Sequence, residues 1–226
     1  MYEGNHILKI KRVIYGVSII LFPIMLLIGF LLHPDLLSFE IVTTAEQLAN
    51  NFRHSSIFHV GHLIVLAAIP FIVAALLCFM ENLRGKGAWF RFVGGIIGIV
   101  GAIVLAVDKG ALCLVLSAFD TLGDEQFRQL VPYLQVIVDR AGLLFIVWLL
   151  PLLPIGAILQ TVGLMKVRCV KTWQGIGIII GLLLLNNPDI EIISSVGAIL
   201  MILGYTPLGL HVLKFGTPCV YDTGET

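Results

Sequence analysis

Apolar residues in this chain fall into long blocks separated by short polar stretches. The blocks run from Val13 to Leu32, Ile57 to Met80, Trp89 to about Leu116, Arg140 to Met165, Gln174 to Asn187, and Ile190 to Leu213. A hydrocarbon core of roughly 30 Å is crossed by about 20 mostly apolar residues at about 1.5 Å each. The pattern therefore predicts an all-α, polytopic bundle of six transmembrane helices in a single domain spanning residues 1–226. No ten-residue alternation suggests a barrel, and lipid offers no partners for open strands. The fifth block is the shortest, so the polar turn from Asn186 through Asp189 to Glu191 is expected to dip below the membrane surface. The basic Lys9, Lys11 and Arg12 ahead of the first block resemble a signal-peptide start. The block's length and the lack of a small-residue cleavage site predict a retained span.

The polar stretches carry a second, shorter periodicity. Thr44-Ala45-Glu46-Gln47 has capping-box spacing, followed by Leu48 and Phe52 on one helical face. Asp124 to Val138 repeats the pattern with Phe127, Leu130, Val131 and Leu134. Both predict short helices on the outer surface. A shift of about eighty residues superposes Glu46-Gln47-Leu48 on Glu125-Gln126-Phe127, Gly61 on Gly142, Pro70 on Pro151, and Asp108 on Asp189. This predicts two parallel repeat units, 44–110 and 123–190, related by an axis along the membrane normal.

Composition agrees with the blocks: the 226 residues are 58% hydrophobic and 12% charged, which excludes a soluble globular domain. A net charge of zero gives no basic field for nucleic acid. The lipid bilayer is the expected partner, and other membrane subunits are compatible with the pattern. Lys and Arg are polarised: Lys9, Lys11, Arg12, Arg84, Lys86, Arg91, Lys166, Arg168, Lys171 and Lys214 fall on one side, against Arg53, Arg128 and Arg140 on the other. The positive-inside rule then places both termini in the cytoplasm of a plasma or inner membrane protein. Acidic residues gather on the far side. Cys169 and Cys219 fall in predicted cytoplasmic segments, so no disulfide is expected. Asp139-Arg140 is read as the charged start of the fourth span.

Candidate chemistry collects at the outer ends of the helices. His59 and His62 lie three apart, with His33 and His54 nearby, and neutral imidazole suits haem iron, copper or zinc. The candidate cofactor site is therefore His59, His62, His33 and His54, with haem b or a transition metal as the group held. The metal set is His59, His62 and Asp108. Asn186, Asp189 and Lys109 mark a candidate pocket at the end of the short fifth helix. Asp108 and Lys109, being adjacent, point about 100° apart and are not expected to neutralise each other on one helix face. No phosphate loop, HExxH helix, GxSxG elbow or CxxCH motif is present. No pattern assigns a catalytic reaction.

His33-Pro34-Asp35, Glu46-Gln47-Leu48, His59-x-x-His62 and Pro207-Leu208-Gly209 together resemble uncharacterised six-helix bacterial membrane proteins grouped as domains of unknown function. The resemblance implies a plasma-membrane protein and carries no catalytic residue. Three functions fit the residues: first a non-catalytic accessory or structural subunit, then a haem- or metal-binding redox protein, then a transporter or lipid-binding protein. An outer-leaflet cavity lined by Asp108, Asn186 and Asp189 and holding lipid or substrate would favour the third, and a tightly filled core would count against it.

Overall fold

The structure is a computed structural model that describes residues 2–81, 83, 85–140, 149–186 and 190–219. Arg84, Gly142, Trp148, Asn187 and Asp189 lie outside the described residues. The described fold is all-α. Its long apolar helices are α1 (Tyr2–Leu31), α3 (Ser56–Met80), α4 (Ala88–Ala111) and α9 (Glu191–Phe215). Between them lie α2 (Ala45–Phe52), α5 (Ser117–Asp120), α6 (Asp124–Arg140), α7 (Leu152–Lys166) and α8 (Thr172–Leu184). A π-helical turn, Leu112–Leu116, joins α4 to α5, so the segment runs as one rod past the expected end at Leu116.

Four segments, His6–Leu31, Ser56–Met80, Ala88–Asp120 and Glu191–Phe215, are long and apolar enough to cross a membrane, and α7 and α8 are shorter apolar helices. At about 1.5 Å per residue α8 spans only about 20 Å, as its short block foretold. Packing closes these six helices into a ring in the order α1, α3, α4, α7, α8, α9 and back to α1. Large apolar side chains such as Leu63, Ile96, Ile103, Ile180 and Leu203 point outward and are exposed. An apolar exterior of this kind is what a lipid-facing bundle presents.

Inside such a bundle, lipid removes the hydrophobic drive for helix association, so close backbone approach supplies the packing. Gly156 of α7 shows the constraint, because a Cβ there would overlap the backbone of Gly94 and Gly98 on α4. Gln160, one turn further along, is fully buried and donates through Nε2 to the carbonyls of Leu76 and Arg91, each at 3.0 Å. One amide thus links α3, α4 and α7 across the core.

The two ends of the ring differ in charge, giving a basic rim and an acidic rim. At the basic rim Lys11 pairs with Glu81, and Arg12 donates to the Leu213 carbonyl. Trp89 and Trp173 are exposed there, as interfacial anchors would be. Arg91, expected as a loop charge, is instead fully buried, with Nη1 donating to the Glu81 carbonyl. Gly216, at φ 78°, ends α9 in the left-handed conformation and turns the chain back over this rim. That turn brings Cys219 beside Cys169, and the two form a disulfide across a Cα separation of 4.8 Å. The expectation of no disulfide is corrected: compartment reasoning ignored that the α7–α8 turn and the α9 exit meet. Asp139 and Arg140 likewise belong to the last turn of α6 rather than to the start of a span. The Asp139 carboxylate accepts from Gln135 Nε2 one turn earlier, at 2.8 Å.

Candidate functional site

Two surface helices cap the acidic rim. The predicted capping box of α2 is present: the Gln47 amide donates to Thr44 Oγ1 at 3.2 Å and Thr44 N–H donates to Gln47 Oε1 at 3.1 Å. Helix α6 packs on α2, where Ala45 N–H donates to Gln135 Oε1 at 2.7 Å. Ala45, Ala49 and Phe52 of α2 join Phe58, Leu116, Phe127 and Leu134 in a small apolar cluster separate from the main core. Arg53, at the C-terminus of α2, stitches this cap to the rod below. Its Nη1 donates to the carbonyls of Asp120 and Leu122 at 3.1 and 3.0 Å, its Nη2 reaches Asp124 at 2.9 Å, and the guanidinium lies over the Phe127 ring. Four free carbonyls at the end of a helix need such donors.

Directly beneath the cap, His59 is held at both ring nitrogens. Nε2 lies 3.2 Å from Asp120 Oδ2, and Nδ1 lies 2.8 Å from Ser117 Oγ. A carboxylate only accepts, so Nε2 carries the proton, and Nδ1 of the neutral ring accepts from the serine hydroxyl. The other carboxylate oxygen of Asp120 accepts from the His54 backbone N–H at 2.7 Å. His54 itself adopts φ 57°, an uncommon conformation for a side chain-bearing residue. Its imidazole is exposed.

His62 faces another way. Its Nδ1–H donates to the Phe58 carbonyl at 2.9 Å, its ring packs on Phe58 with centroids 4.2 Å apart, and the His33 ring is 6.1 Å away. His33 Nε2 in turn lies 3.9 Å from Glu191 Oε1. His59 therefore points toward α5 and His62 toward α1 and α9, although three-residue spacing puts them on one broad helical face. Both nitrogens of His59 are engaged, and among the described residues no three His, Cys, Asp or Glu side chains form a metal-ligand group. Asp108, the third residue of the expected metal set, lies elsewhere, paired with Lys109.

The centre of the ring holds a cavity of about 360 Å³, to which all six bundle helices contribute. Phe22, Leu26, Val65, Ile72, Leu76, Phe79, Leu105, Leu153, Leu182 and Met201 form its walls, and Tyr205 is at the end nearer the basic rim. Tyr205 is buried, stacked on Phe79 at 5.9 Å and edge-on to Phe22 at 5.1 Å. Polar groups cluster at the opposite end: Asp108, Lys109, Asn186, Glu191 and Ser194. Asp108 and Lys109 form an ion pair at 3.2 Å. Their expected independence is corrected, since a long flexible lysine side chain folds back across the angle between adjacent positions.

The sequence-predicted residues thus divide into three places. His59 and His54 belong to the cluster beneath the cap, His62 and His33 to an aromatic cluster beside it, and Asp108, Lys109 and Asn186 to the cavity. Ser117, Asp120, Arg53 and Glu191 were missed as site residues. A His followed some sixty residues later by Ser-x-x-Asp has no motif status, and only the antiparallel return of α4 and α5 beside α3 joins them. No family model matches the chain, and neither a curated protein nor a solved structure matches it significantly.

Proposed function

We propose that this multi-pass membrane protein binds an amphipathic, lipid-like molecule, with the apolar body in the central cavity and the polar head at the Asp108–Lys109 end. The observation that carries the reading is the cavity itself: apolar walls drawn from six helices, with the charged and amide side chains at one end and the Tyr205 ring at the other. Apolar cavity walls favour apolar guests. The cavity volume is within the range of ligand sites, roughly 300–1,000 Å³. These features favour lipid binding or transport over a purely packing-based accessory subunit. The separated histidines supply no comparable support for a haem or metal centre.

In this reading all six apolar helices span the plasma membrane and the basic rim, with both termini, faces the cytoplasm. The Lys and Arg excess supports that orientation. The Cys169–Cys219 pair then stands in a reducing compartment, where such a bond is transient rather than structural. The internal repeat is retained: α3–α4 and α7–α8 occupy successive arcs of the ring, each preceded by a surface helix, α2 or α6.

Native mass spectrometry of the purified protein tests the assignment. The expected result is one amphiphile bound per chain, lost in Ala157→Phe, which fills the cavity from α7. A wild-type protein that carries no amphiphile and is not stabilised by added lipid would refute it.

A further inference from the structure

We infer that Ser117, His59 and Asp120 form a nucleophilic relay that cleaves carboxylic esters at the acidic rim. The inference goes beyond the cavity reading and stands without it. Such relays are recognised by geometry and roles rather than by position in the chain. The hydroxyl donates to an imidazole nitrogen at 2.8 Å, and the other nitrogen donates to a carboxylate at 3.2 Å. The carboxylate is fixed by the His54 backbone N–H at 2.7 Å and has the Arg53 guanidinium 3.9 Å away, so it is held as an anion beside the ring. The nucleophile, its base and the group that orients the base are therefore all present.

Two further features separate this cluster from a simple structural clasp. Ser117 directly follows the π-helical turn Leu112–Leu116, and such turns are frequent at functional sites. The side chains of His59 and Asp120 keep 18% and 19% exposure, enough for approach from outside the bundle. Ser117 also lies nine positions beyond Asp108, about 14 Å further along the rod, which sets it near the headgroup layer. Esters of membrane amphiphiles reside in that layer, so an amphiphile with an ester linkage is the substrate class.

The reaction balances with water as the only co-reactant. Ser117 Oγ attacks the ester carbonyl carbon as its proton passes to His59 Nδ1. The carbon–oxygen bond to the alcohol then breaks, and the alcohol leaves with that proton. Water attacks the acyl carbon as one of its protons passes to His59 Nδ1; the bond from that carbon to Ser117 Oγ then breaks, Oγ takes the proton back from His59, and the carboxylic acid leaves. Asp120 stabilises the imidazolium at each transfer and stays ionised.

The test uses the full chain in detergent micelles, a fluorophosphonate probe and a short-chain p-nitrophenyl ester. Wild type should gain one adduct mapped to Ser117 and hydrolyse the ester. Ser117→Ala should abolish the adduct, and His59→Gln should lower turnover at least about 100-fold, the scale of general-base catalysis. Ser195→Ala, at a buried serine on α9 outside the relay, should match wild type. Thermal melting of each variant separates lost chemistry from lost folding. No adduct at Ser117 in folded wild type, or labelling of His59→Gln at the wild-type rate, would overturn the inference.

Discussion

The basic and acidic rims close the same ring of helices by different means. At the basic rim a fully buried arginine and the Gln160 amide join α3, α4 and α7, and Cys169 and Cys219, when oxidised, tie the α7–α8 turn to the α9 exit. At the acidic rim short amphipathic helices lie over the bundle, held by Arg53 donating to the Leu122 carbonyl, by Ala45 N–H donating to Gln135 between α2 and α6, and by one small apolar cluster. Bonds in that second set exchange with water and contribute modestly, about 1 kcal/mol each. The contrast teaches how the two ends of the cavity differ: Tyr205 lies toward the rim joined through buried side chains, and Asp108 and Lys109 lie toward the rim that carries the surface helices.

Substitutions at the two rims should therefore differ in size and in reach. The largest effect is expected at the basic rim from Gly163→Leu, whose added side chain meets the Gly87 carbonyl and the Arg91 side chain. It should lower stability by about 3 kcal/mol, read as a fall in melting temperature and in monodisperse yield. Comparable loss, about 3 kcal/mol in the oxidised protein, is expected from Cys169→Ser, since a bond between residues 50 apart restricts the unfolded chain. A non-reducing melt with and without reductant checks it, and wild type in reductant should match the variant. At the acidic rim Arg53→Met should cost about 2 kcal/mol by stripping charged donors from the α5 carbonyls. Hydrogen exchange should rise in α2, α5 and α6 while the core of α3 and α4 stays protected. The smallest effect is expected from Thr44→Ala, about 1 kcal/mol, confined to exchange in α2. A global collapse from either acidic-rim variant would erase the distinction between the ends.

Much of this architecture was legible in the residues. Blocks of apolar sequence located the bundle helices, and Thr44-Ala45-Glu46-Gln47 located the start of α2, because both signals depend on near neighbours in the chain. Pairings between distant segments were not legible. Cys169 meets Cys219 only because Gly216 reverses the chain after α9, and Arg91 is buried only because the rim folds over it. The histidines stood out in the sequence as a group, yet spacing alone could not say which neighbours each would face. His59 turns to Ser117 and Asp120, residues without a local motif, and His62 turns to His33. A pocket was expected at Asn186, Asp189 and Lys109, and Asn186 and Lys109 do line the cavity, whereas its apolar walls, indistinguishable in sequence from ordinary packing residues, became visible only in the closed ring.

The proposed amphiphile occupies the middle of the ring rather than its lipid-facing surface. Cross-linking with a diazirine placed along the acyl chain of an amphiphile, followed by peptide mapping, tests it most directly. The account expects adducts on Leu76, Phe79 and Met201, which line the cavity, with loss of those adducts in Ala157→Phe. Adducts confined to outward-facing Leu63, Ile96 and Leu203 would contradict it.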